Sequence, residues 1–217
     1  PILFAYAKMN VNTPVIQETN KKPLHEIREG ISEARKNPII FGNLLAAGIV
    51  SSLILNMGTY GPLFADRVLH KGLDGFGSIL FAAGAGSMAS GILSATSSTH
   101  YSQRFIFTAA GLCGLLLMAV SYIFWTIPAL FMFALLGFAT ILFMVNCNTA
   151  IQMASPPEYL GRIMGLYTFV FLGSAPFGSL LVSAIIEYMG TSLGLAIVGL
   201  FEIILILLTA KTYSKQK

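Results

Sequence analysis

Residues able to do acid–base, nucleophilic or metal chemistry are few in this sequence and lie far apart. The three histidines, His25, His70 and His100, all fall in segments that read as connections. A serine–histidine or zinc hydrolase working inside a membrane would need a histidine at depth, and no cluster of Cys or His has metal-ligand spacing. Cys113 and Cys147 sit in separate apolar runs, where a cysteine reads as a small buried hydrophobe. A phosphate-binding Walker loop is missing, so the chain does not itself hydrolyse ATP. Gly84-x-Gly86 shares two glycines with a dinucleotide fingerprint but has neither the strand before it nor the third glycine. Gly58-Thr59-Tyr60-Gly61 looks like part of a potassium filter; it ends a long apolar run and precedes Pro62, so it reads as a helix break near one surface. No metal, cofactor or enzymatic activity is expected.

What remains is polar residues inside apolar runs. Ser52, Asn56 and Tyr60 are spaced by four, as are Thr140, Met144, Asn148 and Gln152. On a helix this spacing places each set on one face. Such a face can line a path for a small molecule or simply hydrogen-bond a neighbouring helix. Tyr167 and Phe171, also four apart, could add aromatic contact. Glu202 is the one acid well inside an apolar run. An ionisable group at that depth is a functional hypothesis by default, here a group that binds and releases a proton; the structural alternative is an acid paired with a neighbouring helix.

The elements that must position these residues are membrane helices. Hydrophobic residues make up 55% of the 217 and charged residues 10%, against about 25% charged in soluble domains, and the mean hydropathy is +0.76. Six spans are expected near Ile39–Leu63, Phe76–Ala95, Phe105–Phe124, Pro128–Met153, Met164–Ile186 and Ser192–Ala210, each long enough for a hydrocarbon core of about 30 Å. Short connections make consecutive helices antiparallel neighbours. The second span carries small residues four apart, Ala83, Ser87 and Gly91, with Gly86 and Ser90, which let helix backbones approach closely in lipid.

Before the spans, Pro1–Ala7 is apolar and ends at Lys8; with no initiator Met it reads as the end of a truncated span, residues 1–8. Residues 9–38 form a linker. Within it, Pro23–Lys36 carries Leu24, Ile27, Ile31 and Ala34 on one stripe and charges elsewhere, which predicts an amphipathic helix lying in the membrane interface. Residues 39–217 form the six-span domain. Of 13 Lys and Arg, eleven lie on the side of the linker, the Ser97–Arg104 loop, the Ser155–Arg162 hinge and the C-terminus; only Arg67 and Lys71 lie on the other. The basic side should be cytoplasmic. No stripe of basic residues with interleaved aromatics points to nucleic acid.

The hinge itself carries a resemblance. Pro156-Pro157-Glu158-x-x-Gly161-Arg162-x-Met164-Gly165-Leu166-Tyr167 between two apolar helices resembles the loop between the tenth and eleventh helices of major facilitator superfamily transporters, and is similar to the bacterial exporter branch that includes enterobactin and macrolide exporters. The resemblance implies an all-α six-helix half of that fold, helices seven to twelve, built of two inverted three-helix repeats. A matching N-terminal six-helix half is then expected as its partner, with a small-molecule substrate and the bilayer. The first and fourth spans would line the central cavity, making Ser52, Asn56, Tyr60, Thr140, Met144, Asn148, Gln152, Tyr167 and Phe171 the substrate path. Glu202 would be the possible proton site, and Glu158, Gly161 and Arg162 a cytoplasmic gate. The implied activity is proton-driven efflux of a drug-like or siderophore-like molecule, as an antiporter in a bacterial inner membrane. Alternatives are lysophospholipid or sugar transport on the same fold, or a non-transporting receptor or scaffold. Where the family's Gly-x-x-x-Asp-Arg-x-Gly signature would recur, this chain reads Gly91-Ile92-Leu93-Ser94-Ala95-Thr96-Ser97-Ser98, without the Asp, so no charge relay is carried over to that loop.

Overall fold

The computed structural model describes residues 23–96 and 102–215, with side chains at 29–96 and 102–214. The expected end of a truncated span at 1–8 lies outside the described residues. Among those described, only helices and their connections occur: α1 (Pro23–Lys36), α2 (Pro38–Leu53), α3 (Met57–Arg67), α4 (Gly72–Thr96), α5 (Gln103–Val120), α6 (Thr126–Ala154), α7 (Leu160–Met189) and α8 (Thr191–Lys215). With α2 and α3 taken together, six helical segments are long and apolar enough to cross a membrane.

The packing has an internal two-fold logic. α4 packs on α6 as α2 packs on α7, and α5 packs on α6 as α2 packs on α8, while α5 and α8 face each other. Each pair exchanges with its counterpart when the first three spans are matched to the last three. Matched spans stand three crossings apart and so run in opposite senses, which makes the repeats inverted.

Small residues set the closest crossings. A Cβ on Gly86 would overlap the backbone of Ala134, and one on Gly137 would overlap that of Ala83. Ser87 donates to the Gly137 carbonyl at 3.3 Å. The expected small-residue stripe of α4 therefore does press onto a neighbour at Ala83, Gly86 and Ser87, whereas Gly91 meets open space. Between the helices the core is apolar, for instance Phe64 edge-on to Phe133 with centroids 5.5 Å apart.

Four expectations need correction. First, the opening span is not one helix. It breaks at Ile54–Asn56, upstream of Gly58–Pro62, which lie inside α3. Pro62 costs α3 a single backbone hydrogen bond, to the Gly58 carbonyl, and is tolerated in its second turn. Second, the third span ends at Val120 rather than Phe124; Phe124 stands exposed beyond it with Tyr122 and Trp125, whose amphipathic rings suit the membrane surface. Third, the hinge is shorter: α7 resumes at Leu160, not Met164, because Pro156 and Pro157 fall before the helix and cost it no donor. Gly161 and Arg162 thus belong to the first turn of α7. Fourth, α1 turns Ala34, 1% exposed, into the protein core, and Ile31 packs beside it near α2 and α7. This end of the stripe is satisfied by protein, not lipid; the side chains of Leu24 and Ile27 lie outside those described. On the far face Lys36 meets Glu33 at 2.8 Å, which raises the Lys36 pKa above its ordinary value. So exposed a pair contributes little to stability.

α2 is fixed at its start. The Asn37 side chain accepts from the Ile39 N–H at 3.0 Å, capping the helix ahead of Pro38. Its amide donates to the Ala154 carbonyl at 3.1 Å, tying the start of α2 to the end of α6.

Candidate functional site

Of the nine expected path residues, five, Met144, Asn148, Gln152, Tyr167 and Phe171, come together where α6 and α7 diverge. Gln152 donates to the Asn148 side-chain oxygen at 2.5 Å. The Asn148 side chain lies near the Tyr167 hydroxyl. Tyr167 stacks on Phe171, with centroids 5.8 Å apart and planes 22° from parallel. Gln152 is exposed, Asn148, Met144 and Phe171 are half-buried, and Tyr167 is 8% exposed. The result is a surface of two amides, a phenol, a thioether and a phenyl ring. One residue away, Cys147 is fully buried and its thiol donates to the Asn43 carbonyl at 3.4 Å. The face assignment thus separates 147 from 148, as the 100° turn per residue requires.

Thr140 continues the spacing but not the surface. It is 6% exposed, donates to the Leu136 carbonyl at 2.7 Å and lies 3.7 Å from the Cys113 thiol. Ser52, Asn56 and Tyr60 do not share one helical face, because the break falls between Ser52 and Asn56. They build the break instead. Breaking a helix inside a membrane frees carbonyls that water cannot satisfy. The Asn56 amide donates to the Ser52 carbonyl, and the buried Tyr60 hydroxyl donates to the Ile54 carbonyl at 2.8 Å. Tyr60 is 0% exposed. Ser52 and Asn56 remain half-buried.

Two residues that the spacing did not single out complete this region. Gly178 brings the α7 backbone onto Ser52 so closely that a Cβ there would overlap the Ser52 carbonyl. Ser51 donates its hydroxyl to the Phe171 carbonyl, one residue before the Leu172 carbonyl that Pro176 leaves without its helical donor. Broken α2–α3 and proline-bearing α7 therefore lock together at their irregular points.

Glu202 lies in the α5–α8 crossing, 0% exposed. Neither carboxyl oxygen has a hydrogen-bond partner among the described residues. The carboxyl presses on Gly114, where an added Cβ would also meet the Gly199 carbonyl at 2.7 Å. Cys113 is its polar neighbour, and Cys113 in turn touches Thr140 and lies near Tyr60. Among the described residues, no Lys, Arg or His contributes to this cluster. A charge held there without a partner is expensive. The sequence gives the depth of Glu202; the Cys113–Thr140 contact spans two helices and leaves no local pattern to find.

The expected gate residues separate. Arg162 pairs with Glu29 of α1 at 2.6 Å and lies 5.6 Å from the Tyr159 ring, whereas Glu158 is exposed. A Cβ added on Gly30 would meet Arg162 at ordinary contact distance. The hinge is clasped by the linker helix, a pairing 133 residues apart that sequence spacing cannot show. Gly161 has open space around it. No group of His, Cys, Asp and Glu suited to a metal occurs among the described residues.

Comparisons with known proteins agree with this architecture. The family model of the Major Facilitator Superfamily matches residues 2–179. No curated protein and no solved structure matches the chain. A match over most of the length, on a bundle of six membrane-length helices arranged as two inverted triplets, makes the assignment: the chain belongs to the Major Facilitator Superfamily and is a multi-pass membrane transporter.

Proposed function

We propose that this bundle is the C-terminal half of a secondary transporter that exports a lipophilic, drug-like or siderophore-like small molecule by alternating access. The observation that carries this reading is the surface of Met144, Asn148, Gln152, Tyr167 and Phe171. It offers aromatic and thioether contact with few hydrogen-bonding groups, which suits an apolar substrate with one or two polar atoms. A sugar path would need a denser set of donors and acceptors. A second six-helix half would cover this surface; in keeping with that, α4 and α7 are the least buried of the six spans. Glu202 is the proposed proton site, and protons entering as substrate leaves would drive export. The membrane is a bacterial inner membrane, with the basic end of the bundle and the C-terminus in the cytoplasm. The hinge of Glu158, Gly161 and Arg162, held by Glu29, is the cytoplasmic gate.

The test is flux. The full-length protein in proteoliposomes should extrude lipophilic cations or catecholate-type molecules when a proton gradient is imposed, and should stop when the gradient is collapsed. Binding without flux would favour a receptor; flux unaffected by the gradient would remove the proton. A reporter active only in the cytoplasm, fused after Lys217, should be active; an active periplasmic reporter would reverse the topology.

A further inference from the structure

Outside the proposed path, a cavity lies between α5 and α8. The two helices touch at Gly114 and Gly199, where a Cβ on Gly199 would come within 2.5 Å of the Gly114 carbonyl. From that crossing they part toward the basic end of the bundle. The gap is a groove of about 740 Å³, lined on α5 from Ser102 to Leu115 and on α8 from Ile203 to Ser214. Phe107 and Tyr213 meet edge-to-face within it, with centroids 5.8 Å apart.

Its polarity is graded along the helix axes. Arg104, Ser102, Gln103 and Ser214 stand at the mouth; Leu115, Ile203 and Leu207 stand deeper. Among the described residues, no carboxylate lines it. The Gln103 side-chain oxygen accepts from Asn43 at 2.9 Å, while its amide nitrogen is buried and has no acceptor among the described residues. From Ser102 to Leu115 the groove runs about 20 Å at 1.5 Å per residue. That spans a headgroup and one leaflet of a hydrocarbon core about 30 Å thick.

We infer that the groove binds one anionic phospholipid. Its phosphate sits by Arg104, and an acyl chain lies along Gly111, Leu115, Ile203 and Leu207. The positive mouth and apolar depth match that molecule and no soluble anion, which would leave the deeper wall uncovered. Gly111 has nothing within 4 Å of an added Cβ, so the wall has room for a chain to lie against.

The experiment measures lipid retention by the intact full-length protein in detergent, using native mass spectrometry. Phosphatidylglycerol and phosphatidylcholine of identical chains are titrated separately. Phosphatidylglycerol should bind more tightly. Arg104→Gln should weaken it about fivefold, toward the phosphatidylcholine value, as loss of one basic contact predicts, and Arg104→Lys should restore most of the difference. Gly111→Leu, which fills open space and leaves the crossing intact, should weaken both lipids. Equal affinity for the two lipids, or no change in Arg104→Gln, would overturn the proposal and leave an ordinary lipid-facing surface. Full displacement by free glycerol phosphate would also overturn it, since the chain would then contribute nothing.

Discussion

The contact between Gly178 and the broken first span can be tested by adding one methyl group. In Gly178→Ala the new Cβ would overlap the carbonyl oxygen and carbon of Ser52, and even the Ser52 Cα would be 2.5 Å away, about an ångström inside ordinary contact. All three atoms are backbone, so no side chain can swing aside. α7 must retreat from α2, and the Ser51–Phe171 hydrogen bond must stretch with it. Overpacking of this kind costs about 1–3 kcal/mol, against about 0.5–1 kcal/mol gained from alanine over glycine in a helix. A net loss of about 1–2 kcal/mol should remain, lowering the melting temperature by several degrees in a chain of this size. Gly173→Ala is the control. It lies on the same helix with nothing within 4 Å, so only the helix gain applies and the melting temperature should hold or rise. Thermal unfolding of both variants in the same detergent gives the answer. A Gly178→Ala variant as stable as Gly173→Ala would refute the close approach, and with it the account of how the break is held.

Glu202→Gln should leave substrate binding intact and abolish acceleration of export by a proton gradient; an unchanged response in proteoliposomes would return Glu202 to a packing role. Glu202→Leu removes an acid that has no partner among the described residues and should raise the melting temperature, since replacing uncompensated buried polarity with apolar volume is neutral or favourable. Arg162 and Glu29 are about a quarter exposed, so a double-mutant cycle on thermal stability should give a coupling of about 0.5–1 kcal/mol; a coupling of zero would mean that linker and hinge are not clasped.

What could be read in the sequence, and what could not, follows from the range of each signal. The spans are runs of about twenty apolar residues, and six of them stand out without any tertiary information. Pro156-Pro157 marks a helix stop for a local reason. The break at Ile54–Asn56 carries no such mark. Pro62 and the glycines beside it draw attention downstream, yet a proline early in a helix costs little. The side chains that make the break affordable, Asn56 and Tyr60, looked instead like a path-lining stripe because four-residue spacing presupposes an unbroken helix. The same spacing held on α6, where the helix is continuous, down to the separation of Cys147 from Asn148. It failed at Thr140 because spacing fixes a face but not what covers it, and at that depth α5 does. The pairing of Arg162 with Glu29 and the contact of Cys113 with Thr140 link distant segments, which no window of sequence contains.

The most direct measurement on the central claim is thiol accessibility along α6. With Cys113 and Cys147 replaced by Ala in the full-length protein, single cysteines are placed at 144, 148 and 152, with 147 as the control on the buried face. A membrane-impermeant reagent should label 148 and 152 from at least one side, and transported substrate should slow that labelling while 147 stays unreactive. Equal labelling at 147 and 148, or labelling at 148 and 152 that no substrate slows, would mean that these residues only pack helices and that the path runs elsewhere.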